Sequence, residues 1–161
     1  MYLNKVNSIL SNENFKEYLN KNKESEKERN FCGHDLQHFI DVARIAYIIT
    51  LENNLKIDKE IVYATALLHD IGRWMQYDKG ISHEIASYEL AEDILIECGF
   101  NVGERTIILN AILNHRKKVA GNETFEHIFY LSDKLSRNCF NCKVIKECNW
   151  SEEKKNYKIN Y

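Results

Sequence analysis

The sequence predicts an all-α fold, a compact single-domain helical bundle. Its 161 residues include no proline and only six glycines, so few residues would interrupt a helix. Apolar side chains recur at helical spacing along several segments, whereas the period-2 alternation typical of strands is absent. A chain of this length is of normal size for one domain with a buried core.

Composition and charge narrow the classes of function. Hydrophobic residues make up 44% and charged residues 29%, which is typical of a soluble globular protein, and the formal net charge of -2 gives no indication of a nucleic-acid or anionic-membrane partner. No apolar stretch approaches the roughly 18 residues that cross a bilayer, and no secretory signal is visible. We therefore expect a cytoplasmic protein, in which cysteines serve as thiols or metal ligands; the sequence leaves the oligomeric state open.

The N-terminal region, residues 1–30, is expected to form short helices that are interrupted at Ser11-Asn12. It ends in a run of charges at 21–29, which is interpreted as a solvated helix end or linker. A helical core over 31–137 follows, and it contains the segments with the clearest helical periodicity.

Apolar stripes and terminal signals predict the core helices. The predicted helices are 34–52, 59–71, 83–98, about 104–118 and about 123–137. The predicted loops are 73–80 and Gly121-Asn122. Asp58 and Ser82 are suitable N-caps for the second and third core helices, and Gly99 is a suitable stop for the third.

Each of the five core helices also turns an imidazole or a carboxylate towards the interior. The inward-facing set is His38, His69, Asp70, His83, His115 and Asp133. His38, for example, precedes Val42, Ile45 and Ile49 by four, seven and eleven residues, which places it on the apolar stripe of its helix. A lone histidine of this kind is usually a core residue with one satisfied hydrogen bond. Four histidines and two aspartates in one small domain do not easily satisfy one another.

A divalent metal is the expected solution for these buried groups. Buried carboxylates need a compensating charge, and inward-facing cations are scarce on the apolar stripes. Imidazole and carboxylate ligands without thiolate suit Fe, Mn, Co, Ni or Zn. Six ligands exceed what one tetrahedral zinc ion requires, so either one octahedral ion leaves histidines for substrate or two ions share Asp70. His34 would support the ligands, and His127 would be structural or exposed.

Five segments carry a resemblance to a known family. They are HDLQHFIDVARIA at 34–46, HDIGR at 69–73, SHEIAS at 82–87, LNHRKK at 113–118 and LSDKLSR at 131–137. Their order and residues resemble the HD-domain superfamily of metal-dependent phosphohydrolases, in particular its small bacterial hydrolases. The chain departs from the usual HDIGK block by carrying arginine at position 73, which keeps the positive charge and changes its geometry.

The resemblance implies a bundle of five core helices with a metal centre. Its metal ligands would be His38, His69, Asp70 and Asp133, with His83 and His115 completing a second metal site or facing the phosphate. It also implies hydrolysis of a small phosphoester, first of all a nucleotide, by metal-activated water, with Asp70 and Arg73 as catalytic residues. Arg73, Arg116 and Lys134, together with Lys117, are the candidate contacts to phosphate oxygens.

Two other classes of function stay open at this point. Some relatives with a histidine-rich, two-iron version of the site are oxygenases, and a metal-binding sensor or regulatory domain would need no catalysis. Trp74 and Tyr77 could stack on a nucleobase or serve as lid or core aromatics.

The tail, residues 138–161, contains three closely spaced cysteines. Cys139, Cys142 and Cys148 include a C-x2-C spacing typical of metal sites, and Cys32 could supply a fourth ligand. Such a second metal site would hold zinc or an iron–sulfur cluster. The alternative is a set of free thiols in a tail that packs on the bundle. Cys98 is expected to be a small core residue.

Overall fold

The helices were located in a computed structural model, which describes residues 2–117 and 124–161. The described residues form eight α-helices and three single-turn 3-10 helices, and they contain no strand. The α-helices are α1 (Asn4–Ser11), α2 (Glu13–Ser25), α3 (Leu36–Glu52), α4 (Lys59–Leu68), α5 (Arg73–Lys79), α6 (His83–Glu97), α7 (Val102–Asn114) and α8 (Phe125–Leu135). The 3-10 turns are Cys139–Asn141, Ile145–Glu147 and Glu152–Lys154. The predicted all-α fold is confirmed.

The core lies between five helices, α3, α4, α6, α7 and α8, as the apolar stripes predict. Helix α3 packs on α4 and α8, while α7 packs on α4, α6 and α8. Their contact faces bury large side chains completely, including Phe39, Leu67, Ile112 and Phe129. The N-terminal helices cover one side of this bundle, α1 against α4 and α2 against α5. Within the described residues, no helix is both long enough and apolar enough to cross a membrane.

Several helix ends differ from the predicted ones because capping groups define them more sharply than apolar periodicity does. Helix α4 ends at Leu68 rather than at residue 71, so His69 and Asp70 lie in the turn that follows it. Helix α7 begins earlier than predicted, since Asn101 and Glu104 form a capping box. It ends at Asn114. The predicted loop at Gly121-Asn122 lies outside the described residues.

The predicted loop at 73–80 is wrong, because Arg73–Lys79 is the helix α5. None of its residues is buried, so it has no apolar stripe that would indicate a helix. It ends at Gly80, whose φ of 69° lies in the left-handed region that favours glycine.

Gly72 determines how closely the turn after α4 approaches α6. Its backbone N–H donates to Ser87 Oγ at 2.9 Å. A Cβ atom at this position would lie 2.5 Å from the backbone nitrogen of Ser87 and 2.7 Å from the carbonyl carbon of Ala86. Only glycine allows this approach, which holds the His69-Asp70 turn against the helix that carries His83.

We expect Gly72→Ala to lower the free energy of unfolding by about 1–3 kcal/mol, because backbone atoms must move to admit the methyl group. Thermal unfolding followed by circular dichroism would measure this. Gly33→Ala is the matched control, since its new Cβ would meet nothing closer than 3.8 Å. Equal unfolding temperatures for the two variants would show that the turn is not held by this contact.

Candidate metal centre

Six side chains from five helices or their ends converge at one place in the bundle. They are His38 in the first turn of α3, His69 and Asp70 after α4, His83 at the start of α6, His115 after α7 and Asp133 in α8. All six are buried. Capping places some of them directly: the Asp35 carboxylate accepts the backbone N–H of His38 at 2.8 Å and begins α3 there.

The six side chains form two groups that could each hold a metal ion. One group is His38, His69, Asp70 and Asp133, and the other is Asp70, His83 and His115. Within each group, one ligand atom from every residue lies within 4.8 Å of the others. Asp70 belongs to both groups, which is the arrangement of a carboxylate that bridges two ions.

The two carboxylate oxygens of Asp70 face different groups. Oδ2 lies 3.2 Å from His69 Nε2, whereas Oδ1 lies 3.3 Å from His83 Nε2 and 3.5 Å from His115 Nε2. Asp133 Oδ1 closes the first group, at 3.3 Å from His38 Nε2. A single side chain therefore joins two compact sets of nitrogen and oxygen ligands.

All four ligand histidines have a hydrogen-bond partner at Nδ1, which leaves Nε2 to face the centre. Two of these partners are backbone carbonyls: His69 Nδ1 lies 2.8 Å from the oxygen of Ala66, and His115 Nδ1 lies 2.5 Å from that of Ile112. Such partners hold the proton at Nδ1 and direct the Nε2 lone pair towards a metal.

The other two histidines use side chains for the same purpose. His83 Nδ1 lies 2.6 Å from Oε1 of Gln76, a residue of α5. His38 Nδ1 lies 3.2 Å from Ser136 Oγ, whose own hydroxyl donates to the Asp133 carbonyl at 2.8 Å and therefore accepts from the imidazole. The helix that the sequence did not predict thus supports one of the ligands.

Three ligand atoms are buried and have no hydrogen-bond partner among the described residues. They are His69 Nε2, Asp70 Oδ1 and Asp133 Oδ1. Buried polar atoms are normally satisfied, and burying them unsatisfied costs about 1–3 kcal/mol each. A divalent cation bound between them would satisfy all three, so the residues fit a metal. Imidazole and carboxylate ligands are those that Fe, Mn, Co, Ni and Zn accept.

Electrostatics in this cluster favour ionised carboxylates. Burial alone would raise the pKa of Asp70 and of Asp133, but the neighbouring histidines outweigh it and hold both pKa values well below the usual range. Burial lowers the pKa of His69, yet the charges of Asp70 and Asp133 raise it to about 9. Without a metal, a proton on His69 therefore compensates part of the carboxylate charge, and metal binding must release it.

Two cationic side chains reach the first ligand group. Arg137 is buried, with Nη2 at 3.2 Å from His38 Nε2 and 3.7 Å from Asp133 Oδ1. Lys134 Nζ lies 2.5 Å from Asp133 Oδ2. Sequence reasoning missed Arg137, although its position four residues after Asp133 places both on one side of the turn that ends α8.

The side chains of Glu26 and His34 form a buried pair beside the metal centre. His34 Nδ1 lies 2.5 Å from Glu26 Oε1, and His34 Nε2 lies 3.7 Å from Asp70 Oδ2. Tyr77 adds a hydrogen bond from its hydroxyl to Glu26 Oε1 at 2.9 Å. His34 thus lies where a supporting residue was expected. Glu26 was missed, because it lies in the charge run that was interpreted as solvated.

The centre opens into a cavity of about 450 Å³. Of the candidate phosphate contacts, Arg73, Arg116 and Lys134 line this cavity, whereas Lys117 does not. Arg73 Nη1 lies 3.3 Å from His83 Nε2. The Arg116 side chain is half exposed, and its Nη1 lies 3.3 Å from Glu84 Oε2.

The aromatic residues of α5 pack away from the cavity. The Trp74 ring stacks on Tyr18 with centroids 6.3 Å apart, and Lys21 Nζ lies 4.4 Å from its centroid. Tyr77 does not line the cavity; its hydroxyl contacts Glu26, and its ring lies 5.9 Å from the guanidinium carbon of Arg73. His127, on α8, lies with its ring beside Tyr130 and belongs to neither ligand group.

The structure places the cysteines in two environments. Cys32, Cys139, Cys142 and Cys148 all line the cavity of the metal centre. None of them belongs to a described group of three ligand atoms within 4.8 Å of one another. Cys98 follows α6 and packs, partly buried, against the main hydrophobic core.

Metal stoichiometry should separate the two ligand groups. We expect His38→Ala to weaken the binding of one ion and His83→Ala to weaken the binding of the other. Asp70→Ala should weaken the binding of both. Each affinity should fall by about tenfold or more, because these residues would supply direct ligands. Elemental analysis and calorimetric titration with Mn²⁺ would measure this, with His127→Ala as the control. Unchanged affinity for one ion in Asp70→Ala would rule out a shared carboxylate.

The Glu26–His34 pair should contribute stability that depends on pH. Burial raises the pKa of Glu26, but its bonds to His34 outweigh this and lower the pKa from 4.5 to about 2. The contribution is therefore complete above about pH 4.5 and is lost as the pH falls towards 2. We expect Glu26→Gln to lower the free energy of unfolding by about 1.5–3 kcal/mol at pH 7. This loss should become smaller as the pH falls from 4.5 towards 2.

Denaturant unfolding with a metal chelator present would test this, so that metal binding does not contribute. Glu17→Gln is the matched control, because Glu17 is exposed in α2 and pairs with Lys21 four residues later. Its effect should stay below about 0.5 kcal/mol. If Glu26→Gln lowered the free energy of unfolding equally at pH 7 and pH 2, the pH-dependent contribution of the Glu26–His34 pair would be contradicted.

Comparison with known proteins agrees with this site. A family model described as the HD domain matches residues 35–138. An uncharacterized protein of Clostridium beijerinckii is 50% identical over 159 residues, which cover 99% of this chain and 100% of that protein. Ribonuclease Y of Borreliella burgdorferi is 31% identical over 103 residues, 63% of this chain and 18% of the ribonuclease. The chain thus spans about a fifth of the length of that ribonuclease.

A solved structure shares the fold. It is the crystal structure of a predicted HD superfamily hydrolase from an uncultured Thermotogales bacterium, with a TM-score of 0.62 and 26% sequence identity. The match covers 87% of this chain and 80% of that one. With the family match over most of its length and the histidines and aspartates of the five segments brought together, the chain belongs to the HD-domain superfamily of metal-dependent phosphohydrolases.

Proposed function

We propose that this protein hydrolyses a small phosphoester, with nucleotides as the first substrate class. The observation that carries the proposal is the position of the two ligand groups, which share Asp70 and adjoin a cavity lined by several cationic side chains. A metal-ligand cluster beside clustered arginines and lysines suits a phosphate ester, whose oxygens bind both.

The chemistry divides between the metal and the chain. A divalent metal bound here supplies Lewis-acid activation of water and of a phosphoryl oxygen. Asp70 and Asp133 stay ionised and keep the ligand geometry fixed. Glu26 holds His34 so that its Nε2 faces Asp70, where it can exchange a proton with a group in the cavity.

Arg73 is the residue best placed to bind the phosphate. It lines the cavity, and although burial lowers its pKa, the charge of Asp70 raises it above the usual value, so the side chain stays charged. Its guanidinium offers two parallel donors, which the usual lysine of the motif does not. Lys134 is more restricted, because its ammonium group already pairs with Asp133.

Cavity size supports a small substrate. A volume of about 450 Å³ lies within the roughly 300–1,000 Å³ typical of small-molecule sites. The relatives named ribonuclease Y act, by that name, on RNA, so a short RNA is a necessary comparison substrate. The net charge of -2 gives no general attraction to a polyanion, and for this reason we place small phosphoesters first.

The main alternative is a two-iron oxygenase, since the second ligand group with His83 and His115 is also what a two-metal oxidative centre would use. The two reactions differ in their products: hydrolysis releases phosphate or a phosphomonoester, whereas oxidation consumes oxygen. A sensor domain without catalysis would do neither while still binding metal.

A screen of mononucleotides, dinucleotides, sugar phosphates and a short RNA would test the proposal. We expect release of inorganic phosphate or a phosphomonoester from a small substrate with added Mn²⁺, Co²⁺ or Fe²⁺. Asp70→Ala should reduce turnover by about a thousandfold or more, because the ligand shared by both groups is lost. Arg44→Ala is the control, since Arg44 is exposed on α3 and does not line the cavity.

Arg73→Lys gives a second measure. If Arg73 binds phosphate through two donors, this variant should raise KM about tenfold and leave metal content unchanged. Oxygen consumption without phosphate release would favour the oxygenase. No turnover on any substrate, with both ions bound, would leave the sensor domain as the better explanation and overturn the proposal.

A further inference from the structure

Four of the five cysteines line the cavity of the metal centre. They are Cys32, Cys139, Cys142 and Cys148. Cys32 is far from the other three in sequence, so the fold brings them to the same cavity. The proposed phosphoester hydrolysis uses none of them.

One arginine joins these segments, and a second holds the backbone of Cys32 locally. Arg137, two residues before Cys139, donates from Nη1 to the carbonyl oxygen of Gly33 at 2.9 Å. Gly33 directly follows Cys32, whose own carbonyl accepts from Arg29 Nε at 2.9 Å. The backbone at Cys32 is thereby fixed close to the segment that begins at Cys139.

The C-terminal segment, residues 138–161, has little else to hold it in place. Its regular structure is three single-turn 3-10 helices, and Cys139 is the only one of its residues that is buried. A few hydrogen bonds attach it to the bundle, such as those from Asn156 Nδ2 to the carbonyls of Lys134 and Arg137. Segments that lack an apolar core usually depend on a disulfide or a metal.

The local backbone spaces the three cysteines at the ends of tight turns. Cys139 and Cys142 are joined by one turn, in which the Cys142 N–H donates to the Cys139 carbonyl at 3.2 Å. Cys148 directly follows the next turn, with its N–H bonded to the Ile145 carbonyl at 3.4 Å. A C-x2-C pair on a tight turn is a recurrent source of two metal ligands.

We propose that Cys32, Cys139, Cys142 and Cys148 bind a thiophilic metal centre, separate from the histidine–aspartate centre, that fastens the C-terminal segment to the cavity wall. Arg29 and Arg137 lie beside this wall and would offset the negative charge that four thiolates bring.

Electrostatic interaction between the cysteines supports their placement near one another. Burial raises the pKa of Cys32, and Cys139 and Cys142 raise it further, while Arg137 lowers it. The three thiols are therefore close enough for their charges to interact. Thiolates so placed repel one another unless a cation binds between them.

Four cysteine thiolates are the ligand set of a structural zinc ion and also of an iron–sulfur cluster. The two centres differ in composition, because only the cluster contains iron and acid-labile sulfide.

Purification of the full chain without oxygen, followed by analysis of iron, zinc, acid-labile sulfide and reactive thiols, would test this proposal. We expect the cysteines to hold either iron with acid-labile sulfide and visible absorption that bleaches on reduction, or zinc without sulfide. Iron that is present without sulfide belongs to the histidine–aspartate centre, so the metals are also measured in Asp70→Ala. Only about one of the five cysteines, Cys98, should react with a thiol reagent before the metal is removed.

Variants assign the metal to its ligands. Cys142→Ser should abolish the cysteine-bound metal, whereas the matched control Cys98→Ser should retain it. Asp70→Ala should lose the ions of the histidine–aspartate centre and keep the cysteine-bound metal. If Cys142→Ser bound as much iron or zinc as the protein without the substitution, the proposal would be overturned. Five freely reactive thiols, or a disulfide, in the anaerobically purified chain would also do so, and this measurement needs no variant to fold.

Discussion

The burial of the Asp70 carboxylate is the constraint on which the rest of the structure depends. Only 2% of this residue is exposed, and its two oxygens face two different sets of histidines. Removing a carboxylate from water costs several kcal/mol unless charges and hydrogen bonds replace the solvent. The backbone carbonyl of Asp70 accepts from Asn22 at 2.8 Å, so α2 also helps to hold the turn in place. Metal binding, helix packing and the close approach at Gly72 all serve this one turn.

The sequence predicted which histidines and aspartates face the interior, because helical periodicity places side chains accurately within a helix. His38 and Asp133 lie on apolar stripes, and a residue at the correct spacing from buried neighbours must face the core. Periodicity says nothing about helices without buried residues, so α5 was missed, and with it Gln76, the partner of His83. It also says nothing about residues from distant segments, so the pairing of Glu26 with His34 could not be predicted.

Cations near the ligands show a further limit of pattern reasoning. Long arginine and lysine side chains reach the site from positions at its rim, so their charge is not visible as an inward-facing residue on a stripe. Arg137 is the clearest case, because its guanidinium reaches both a ligand histidine and the carbonyl of Gly33. Even with these cations in place, three ligand atoms have no hydrogen-bond partner among the described residues, so the charged side chains alone do not satisfy the buried polar atoms of the site.

Much of the cavity wall lies outside the family match. The matched region, residues 35–138, contains the six candidate metal ligands, whereas Arg29 and Cys32 before it and Cys142 to Trp150 after it form much of the cavity wall. The ribonuclease Y match covers 63% of this chain, whereas the Clostridium beijerinckii protein matches over 99% of it. Membership of the family therefore indicates the type of site, whereas the cavity wall built by both ends of the chain is the part in which relatives can differ.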